Sequence, residues 1–206
     1  MSPFLILIAG GSGSGKTTVA KMIKEQSGKN DVLLIPIDNY YKDLSHLKLS
    51  ARKNVNFDHP TAIDWPLLKT DITALFNGES IRMPIYSFKT ATRPRYKLVK
   101  PKRIIILEGI FSLYDPELNS TAKLRIFVDT PPDVRLIRRI QRDIAERGKH
   151  IDYVIKQWLT TVKPMHDEFI EPTKGNAHVI MPEDPEGGMR GTAIELIKTK
   201  IRSMLK

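Results

Sequence analysis

The run LIAGGSGSGKTTVAK, residues 7–21, places Gly10, Gly15, Lys16 and Thr17 at the spacing G-x-x-x-x-G-K-[ST]. Backbone amides across Gly10, Gly11, Ser12, Gly13, Ser14 and Gly15 can turn inward on a chain of phosphates, because glycine removes the side chains that would bar that turn. The helix opened by Lys16, Thr17 and Thr18 adds its positive end. Lys16 adds a mobile cation, and Thr17 offers a hydroxyl to Mg²⁺. This is chemistry for a nucleoside triphosphate, and it leaves the acceptor of the phosphate open.

Two carboxylates end apolar runs that read as strands: Asp38 in LLIPID and Glu108 in RIIILEG. In an open parallel sheet the carboxyl ends of the strands face the ligand crevice. Asp38 is there placed to accept a hydroxyl proton as a general base, and Glu108 to hold magnesium directly or through water. Each has an ordinary alternative as an acid that starts a turn and is satisfied by backbone. In PPDVRLIRRIQRDIAERGK, Arg135, Arg138, Arg139 and Arg142 fall at i, i+3, i+4 and i+7, one face of a helix. Ile137, Ile140 and Ile144 occupy another face, which predicts that the arginines are not the core stripe. Like charges so placed repel unless anions gather there, and guanidinium forks over a transferring phosphate would supply that function. The competing reading is a solvated basic face offset by Asp133, Asp143 and Glu146. Asp58 in NFDHP could bind a diol. Tyr86 and Phe88 could offer rings to a flat ligand, although alternating aromatics on a strand also serve simple packing.

Other phosphate-loop classes are poorly matched. No N-K-x-D base-reading motif and no L-S-G-G signature occurs, and the D-x-x-G match DPEG at 184–187 lies too late in the chain to act as a switch. A small-molecule kinase remains. It needs an acceptor pocket, a base and cations over the phosphate, and the sequence offers a candidate for each.

The elements that must position these groups alternate. Strands are predicted near 4–9, 32–37, 104–108, 124–129 and 178–181, and helices near 16–27, 64–77, 132–147, 152–170 and 189–204. Such alternation with short connections gives parallel βαβ units with helices on both faces. Leu68, Ile72, Leu75 and Phe76 mark the buried face of the 64–77 helix, and Gly78 marks its stop. Residues 79–102 read as a separate β-hairpin arm, 132–150 as a lid region, and 39–63 as a long functional loop. All 206 residues are expected to form a single phosphate-loop kinase domain.

Thirty-three Lys and Arg against 23 Asp and Glu leave a net charge of +10, which asks for a polyanionic partner. Nucleotide phosphate meets that demand. A nucleic-acid-binding NTPase is disfavoured, since no recognition motif accompanies the charge. No apolar run is long enough to cross a bilayer, the N-terminus lacks a basic leader, and there is no cysteine, so a cytoplasmic location is expected. The hairpin carries Lys89, Arg93, Arg95, Lys97, Lys100, Lys102 and Arg103 without an intervening acid. It reads as a solvated arm, with contact to an already phosphorylated acceptor as the alternative.

GGSGSGKTT, IDNYYKDLSHL, NFDHPTAIDWPLL, PIYSF, IIILEGI, IFVDTPPDVRLIRRIQRDIAERG and VKPMHDEFIEPTK, in order from about residue 5 to 182, resemble the uridine/cytidine kinase family. The resemblance implies a five-stranded parallel sheet with flanking helices, a β-hairpin arm and an arginine-rich lid helix, assembled as a dimer or tetramer. It implies phosphate transfer from ATP or GTP, with Mg²⁺, to the 5′-hydroxyl of a pyrimidine ribonucleoside. On this resemblance Asp38 is the base and Asp58 grips the ribose hydroxyls. Tyr41, Tyr86 and Phe88 line the acceptor, and Arg139 and Gln157 lie near it. Arg142 and Arg147 belong to the lid, and Thr17, Glu108 and Asp38 form the magnesium set. Lys149 stands where arginine is common, and His178 where aspartate is. In YSFKTATR, Ala91 stands where the family has a histidine that reads the base edge. A methyl group makes no hydrogen bond, so the resemblance leaves a second acceptor class open, a non-nucleoside sugar-like alcohol.

Overall fold

The computed structural model describes residues 3–28, 30–52, 55–183 and 188–205. The DPEG run at 184–187 lies outside the described residues. The chain runs β1 (Phe4–Ala9), α1 (Lys16–Gln26), β2 (Val32–Pro36), α2 (Leu49–Arg52), α3 (Trp65–Phe76), the hairpin strands β3 (Ile81–Ser87) and β4 (Thr92–Val99), then β5 (Ile104–Glu108). It continues through α4 (Pro116–Thr121), β6 (Leu124–Val128), α5 (Pro132–Ala145), α6 (Ile151–Gln157), α7 (Lys163–Met165), β7 (Val179–Met181) and α8 (Gly188–Leu205). Five strands form one parallel sheet in the order β2-β5-β1-β6-β7, and β3 and β4 pair apart from it as an antiparallel ribbon. The expected α/β architecture with a hairpin arm is the one observed.

Strand alternation divides the core. Leu5, Leu7 and Ala9 of β1 join a cluster with Tyr40, Leu68, Ile72, Leu75 and Met83, so α3 and the hairpin cover that face of the sheet. Ile6 and Ile8 point the other way, into a cluster with Val19, Ile23, Ile194 and Ile197 from α1 and α8. Among α3's predicted core residues Leu68, Ile72 and Leu75 are buried, and Phe76 packs half-buried at the margin.

The second strand stops one residue before the expected end. Ile37–Tyr40 winds into a 3₁₀ turn, so Asp38 sits in that turn and not in the strand. The register sets Pro36 beside Glu108 and Ile8 beside the same residue, so the ends of β1, β2 and β5 lie level. The helical stretch from Ile151 is interrupted by wide turns at Trp158–Val162 and His166–Ile170, on either side of Pro164. Proline lacks an N–H and its ring would strike the carbonyl four residues back in a regular α-helix, so the ladder widens around it.

Candidate active site

The phosphate loop leads from β1 into α1 through Gly15, which caps the helix with φ of 86°. Gly13 has φ of +83°, and a Cβ there would sit 2.4 Å from the Arg135 carbonyl oxygen, so the loop can only pack against α5 without a side chain. Lys16 Nζ rests 3.4 Å from the Gly11 carbonyl. Burial lowers its pKa, against the pull of Glu108 and Asp38, which raise it. Thr17 Oγ1 donates to Glu108 Oε2 at 3.1 Å. The first residues of the helix therefore meet the end of β5 directly.

Burial raises the pKa of Asp38, and Lys16, Arg147 and Arg142 work against that rise. Glu108, nearly fully buried, is likewise raised by burial and opposed by Lys16. What brings the two acids together is Gly109. A Cβ at that residue would lie 1.9 Å from Ile37 Cγ2, so the turn bearing Asp38 closes onto the end of β5 only because residue 109 has no side chain. Among the described residues no group of three or more His, Cys, Asp or Glu could hold a metal ion by itself. The donor set of Thr17 hydroxyl with Glu108 and Asp38 carboxylates is oxygen-only. That suits Mg²⁺, whose remaining ligands are ordinarily phosphate oxygens and waters.

Four rings stand beside this centre. Tyr41 meets Phe57 at 5.5 Å, Tyr86 at 5.3 Å and Phe88 at 6.1 Å between centroids, and Tyr86 meets Phe88 at 5.5 Å. Tyr41 and Tyr86 are buried, whereas Phe88 is 47% exposed at the rim. Arg147 lays its guanidinium 4.3 Å from the Phe88 ring, so the end of the lid and the tip of the hairpin touch across the site. Asp58 is buried. Burial raises its pKa, and Arg139 and Lys149 oppose the rise. Arg139 donates to Ser12 Oγ and to Gln157 Oε1, both at 2.9 Å, joining phosphate loop, lid helix and α6.

The arginine face differs from its expectation in two ways. It is the buried side of α5: Arg135, Arg139 and Asp143 are buried while Ile137 and Ile144 are 56% and 44% exposed. The polar stripe faces inward because it meets polar partners there, the Thr130 carbonyl, Ser12 and Gln157, with Asp143 of the same stripe set among its arginines. The four arginines also part company. Arg135 turns behind the phosphate loop and donates to the Thr130 carbonyl, and Arg138 pairs with Glu183. Arg139 and Arg142 instead gather on the buried Asp143, joined by Arg147 and Lys149 from beyond the helix, and Arg142 and Arg147 also act on Asp38.

Several residues of the site escaped the sequence. Asn39 Oδ1 accepts from the Tyr86 N–H at 3.2 Å, and Thr161 Oγ1 approaches Asp58 Oδ2 at 3.5 Å. Thr161 lies one helical turn after Gln157, a spacing that could have been read. A place in a run of cations groups Arg93 with the solvated arm. It is clamped instead, with 7% of its side chain exposed and bonds to Tyr40, Tyr41 and Asp64. The neighbouring Arg95 and Lys97 are exposed, as expected of the arm.

Known proteins resemble the chain closely. It is 47% identical to a uridine kinase of Halobacterium salinarum over 97% of this chain and 87% of that protein. It is 48% identical to a uridine kinase of Bacillus subtilis over 100% of this chain and 96% of that one. A D-glycerate 3-kinase from Cryptococcus neoformans shares the fold, with a TM-score of 0.60 at 15% identity over 82% of this chain and 79% of that one. The family model described as phosphoribulokinase / uridine kinase matches residues 5–189, and the chain belongs to that family.

Proposed function

We propose that the protein transfers the terminal phosphate of ATP, or of GTP, to the 5′-hydroxyl of uridine or cytidine. The observation that carries this reading is the placement of Asp38: one carboxylate at a strand end, beside the Thr17–Glu108 pair and Lys16, with the aromatic cluster and Asp58 on its other side. A nucleoside held there by its base against Tyr41, Tyr86 and Phe88, and by its ribose at Asp58, Arg139 and Gln157, presents its 5′-oxygen to Asp38. Asp38 takes the proton from that hydroxyl as the oxygen attacks the γ-phosphorus, and the bond from that phosphorus to the β–γ bridging oxygen breaks with ADP or GDP as the leaving group. Lys16 and the loop amides from Gly10 to Thr18 hold the phosphates, and Arg139, Arg142 and Arg147 screen the charge in transit. Magnesium at Thr17 and Glu108, with Asp38 nearby, would supply further charge neutralisation.

The nucleoside reading is favoured over a sugar-like alcohol because relatives sharing nearly half of the aligned residues, over 87% and 96% of their length, are uridine kinases. Nothing in the site favours a nucleic-acid-binding NTPase. With such an activity the protein would serve pyrimidine salvage in the cytoplasm. No helix among the described residues is long and apolar enough to cross a membrane, which is compatible with that location. Exposed Tyr96 and Leu98 on the hairpin suit assembly into a dimer or tetramer. A coupled assay of ADP release with uridine, cytidine and a panel of sugars tests the proposal. Turnover with either nucleoside is expected, and turnover with a sugar alone would overturn it.

A further inference from the structure

We propose that Arg93 is a positioning residue for the phosphoryl transfer: it locks the turn that carries Asp38 to the hairpin that carries Tyr86 and Phe88. The seat of the acceptor and the base that deprotonates it then move as one rigid body. The inference rests on Asp38 acting as that base.

The guanidinium of Arg93 leaves β4 and crosses to the turn. Its Nε donates to the Tyr41 carbonyl at 2.8 Å and its Nη2 to the Tyr40 carbonyl at 3.0 Å. These are the second and third peptide carbonyls after Asp38. The remaining nitrogen, Nη1, donates to Asp64 Oδ2 at 3.0 Å. Asp64 caps α3 through the Leu67 N–H, so one planar group ties hairpin, catalytic turn and helix together. The other fastenings of the turn point the same way. Asn39 Oδ1 accepts from the Tyr86 N–H, and the Tyr40 hydroxyl donates to Asp71 Oδ2 at 2.8 Å inside the core.

Only arginine can fill this place. A single side chain must satisfy three acceptors lying around one plane, and lysine's ammonium has neither the fork nor the fixed directions. Each bond to Tyr40 and Tyr41 spans more than fifty residues of chain, so the contact is made by the folded site and not by local turn chemistry. A general base acts only within hydrogen-bond reach of the proton it takes, and a displacement of about 1 Å can cost 10²-fold in rate. A turn released from the hairpin would allow such a displacement while leaving the phosphate loop, Lys16 and the Thr17–Glu108 pair in place.

The test compares R93K, R93A and N39A with the native enzyme and with D38N. Rates are expressed per site that binds a non-hydrolysable ATP analogue with Mg²⁺, so that unfolded molecules do not count. R93K and N39A are expected to lose about 10- to 100-fold in kcat with the analogue's Kd unchanged. R93A should lose more and regain part of its rate when ethylguanidinium is added, and D38N should gain nothing from it. A native kcat per site in R93K, with only a lower Tm, would overturn the inference and leave Arg93 a structural brace. Native turnover in D38N would instead overturn the assignment of the base, whatever Arg93 does.

Discussion

Arg142 and Asp143, neighbours in the chain, meet side chain to side chain, with Nε and Nη2 of the arginine donating to Oδ1 of the aspartate at 2.9 and 2.8 Å. Consecutive residues of a helix do not ordinarily face each other, so the long arginine side chain wraps around to make the contact. Asp143 is fully buried, and Arg147 and Lys149 approach it at 3.4 Å and Arg139 at 3.8 Å. One carboxylate thus gathers four cations on the inner face of the lid and offsets only part of their charge.

D143N should therefore destabilise the protein by about 3 kcal/mol at neutral pH, the order of cost for breaking a buried ion pair. Burial alone would raise the pKa of Asp143, but Arg142 and Arg147 outweigh it and the folded value falls below the ordinary 3.8. A depressed carboxylate contributes stability that is full above the unfolded pKa and is lost as pH falls through the folded one. Urea unfolding at several pH values should show a constant gap between native and D143N above about pH 4. The gap should close at more acid pH, and one that widened there would contradict the assignment.

Under the proposed roles of Asp38 and Glu108, removing each carboxylate should have separable consequences. D38N is expected to lower kcat by roughly 10²- to 10⁴-fold while nucleotide still binds. E108Q should raise the Mg²⁺ concentration needed for half-maximal rate by about 10-fold. In the native enzyme the acid limb of kcat/KM should lie above the ordinary carboxylate range, because burial raises Asp38 more than Lys16, Arg147 and Arg142 lower it. Rate measurements across pH and across Mg²⁺ distinguish the two acids.

The strands, the long helices, the phosphate loop and the strand-end acids were legible because each is written in local periodicity or in a compact motif. Asp38 and Glu108 could be placed at one rim because parallel strands carry their ends to the same side. The inward turn of the arginine face was not legible. Hydrophobic periodicity assigns the core to Ile137 and Ile144, and it is the polar partners of Arg135, Arg139 and Asp143, Ser12 of the distant phosphate loop among them, that reverse that assignment. Arg93 was missed for a related reason. A cation in a run of cations reads as solvated, and its acceptors are backbone carbonyls on another element, which leave no mark in side-chain pattern.

Ala91 lies in the left-handed region, with φ of 52°, its N–H donating to the Ser87 carbonyl and its carbonyl accepting from Leu44. A side chain there is strained, and glycine is not. A91G should raise stability by about 0.5 to 1 kcal/mol, seen as a higher Tm. A91H tests specificity. Histidine is among the residues that tolerate this conformation, and it would add a hydrogen-bonding ring beside Tyr86 and Phe88. A91H should lower KM for uridine or cytidine and leave KM for ATP unchanged. If KM for both nucleosides rises instead, position 91 does not face the base.

Gly109 offers a test of how closely the two acids must be held. The Cβ of G109A would fall 1.9 Å from Ile37 Cγ2, inside a packed region where Ile37 is fully buried. The core cannot absorb that overlap, so the end of β2 must retreat from β5 and take Asp38 away from Glu108. Overpacking of this size costs about 1 to 3 kcal/mol, and the displacement should also lower kcat by about 10-fold or more. Trimming the partner provides the control. I37A alone opens a cavity and should cost about 2 to 5 kcal/mol. In the double variant G109A/I37A the new methyl enters the space vacated by Cγ2. Tm and kcat should then recover relative to the sum of the single losses. Strict additivity of the two substitutions in both measurements would show that Gly109 is not what sets the spacing of the carboxylates.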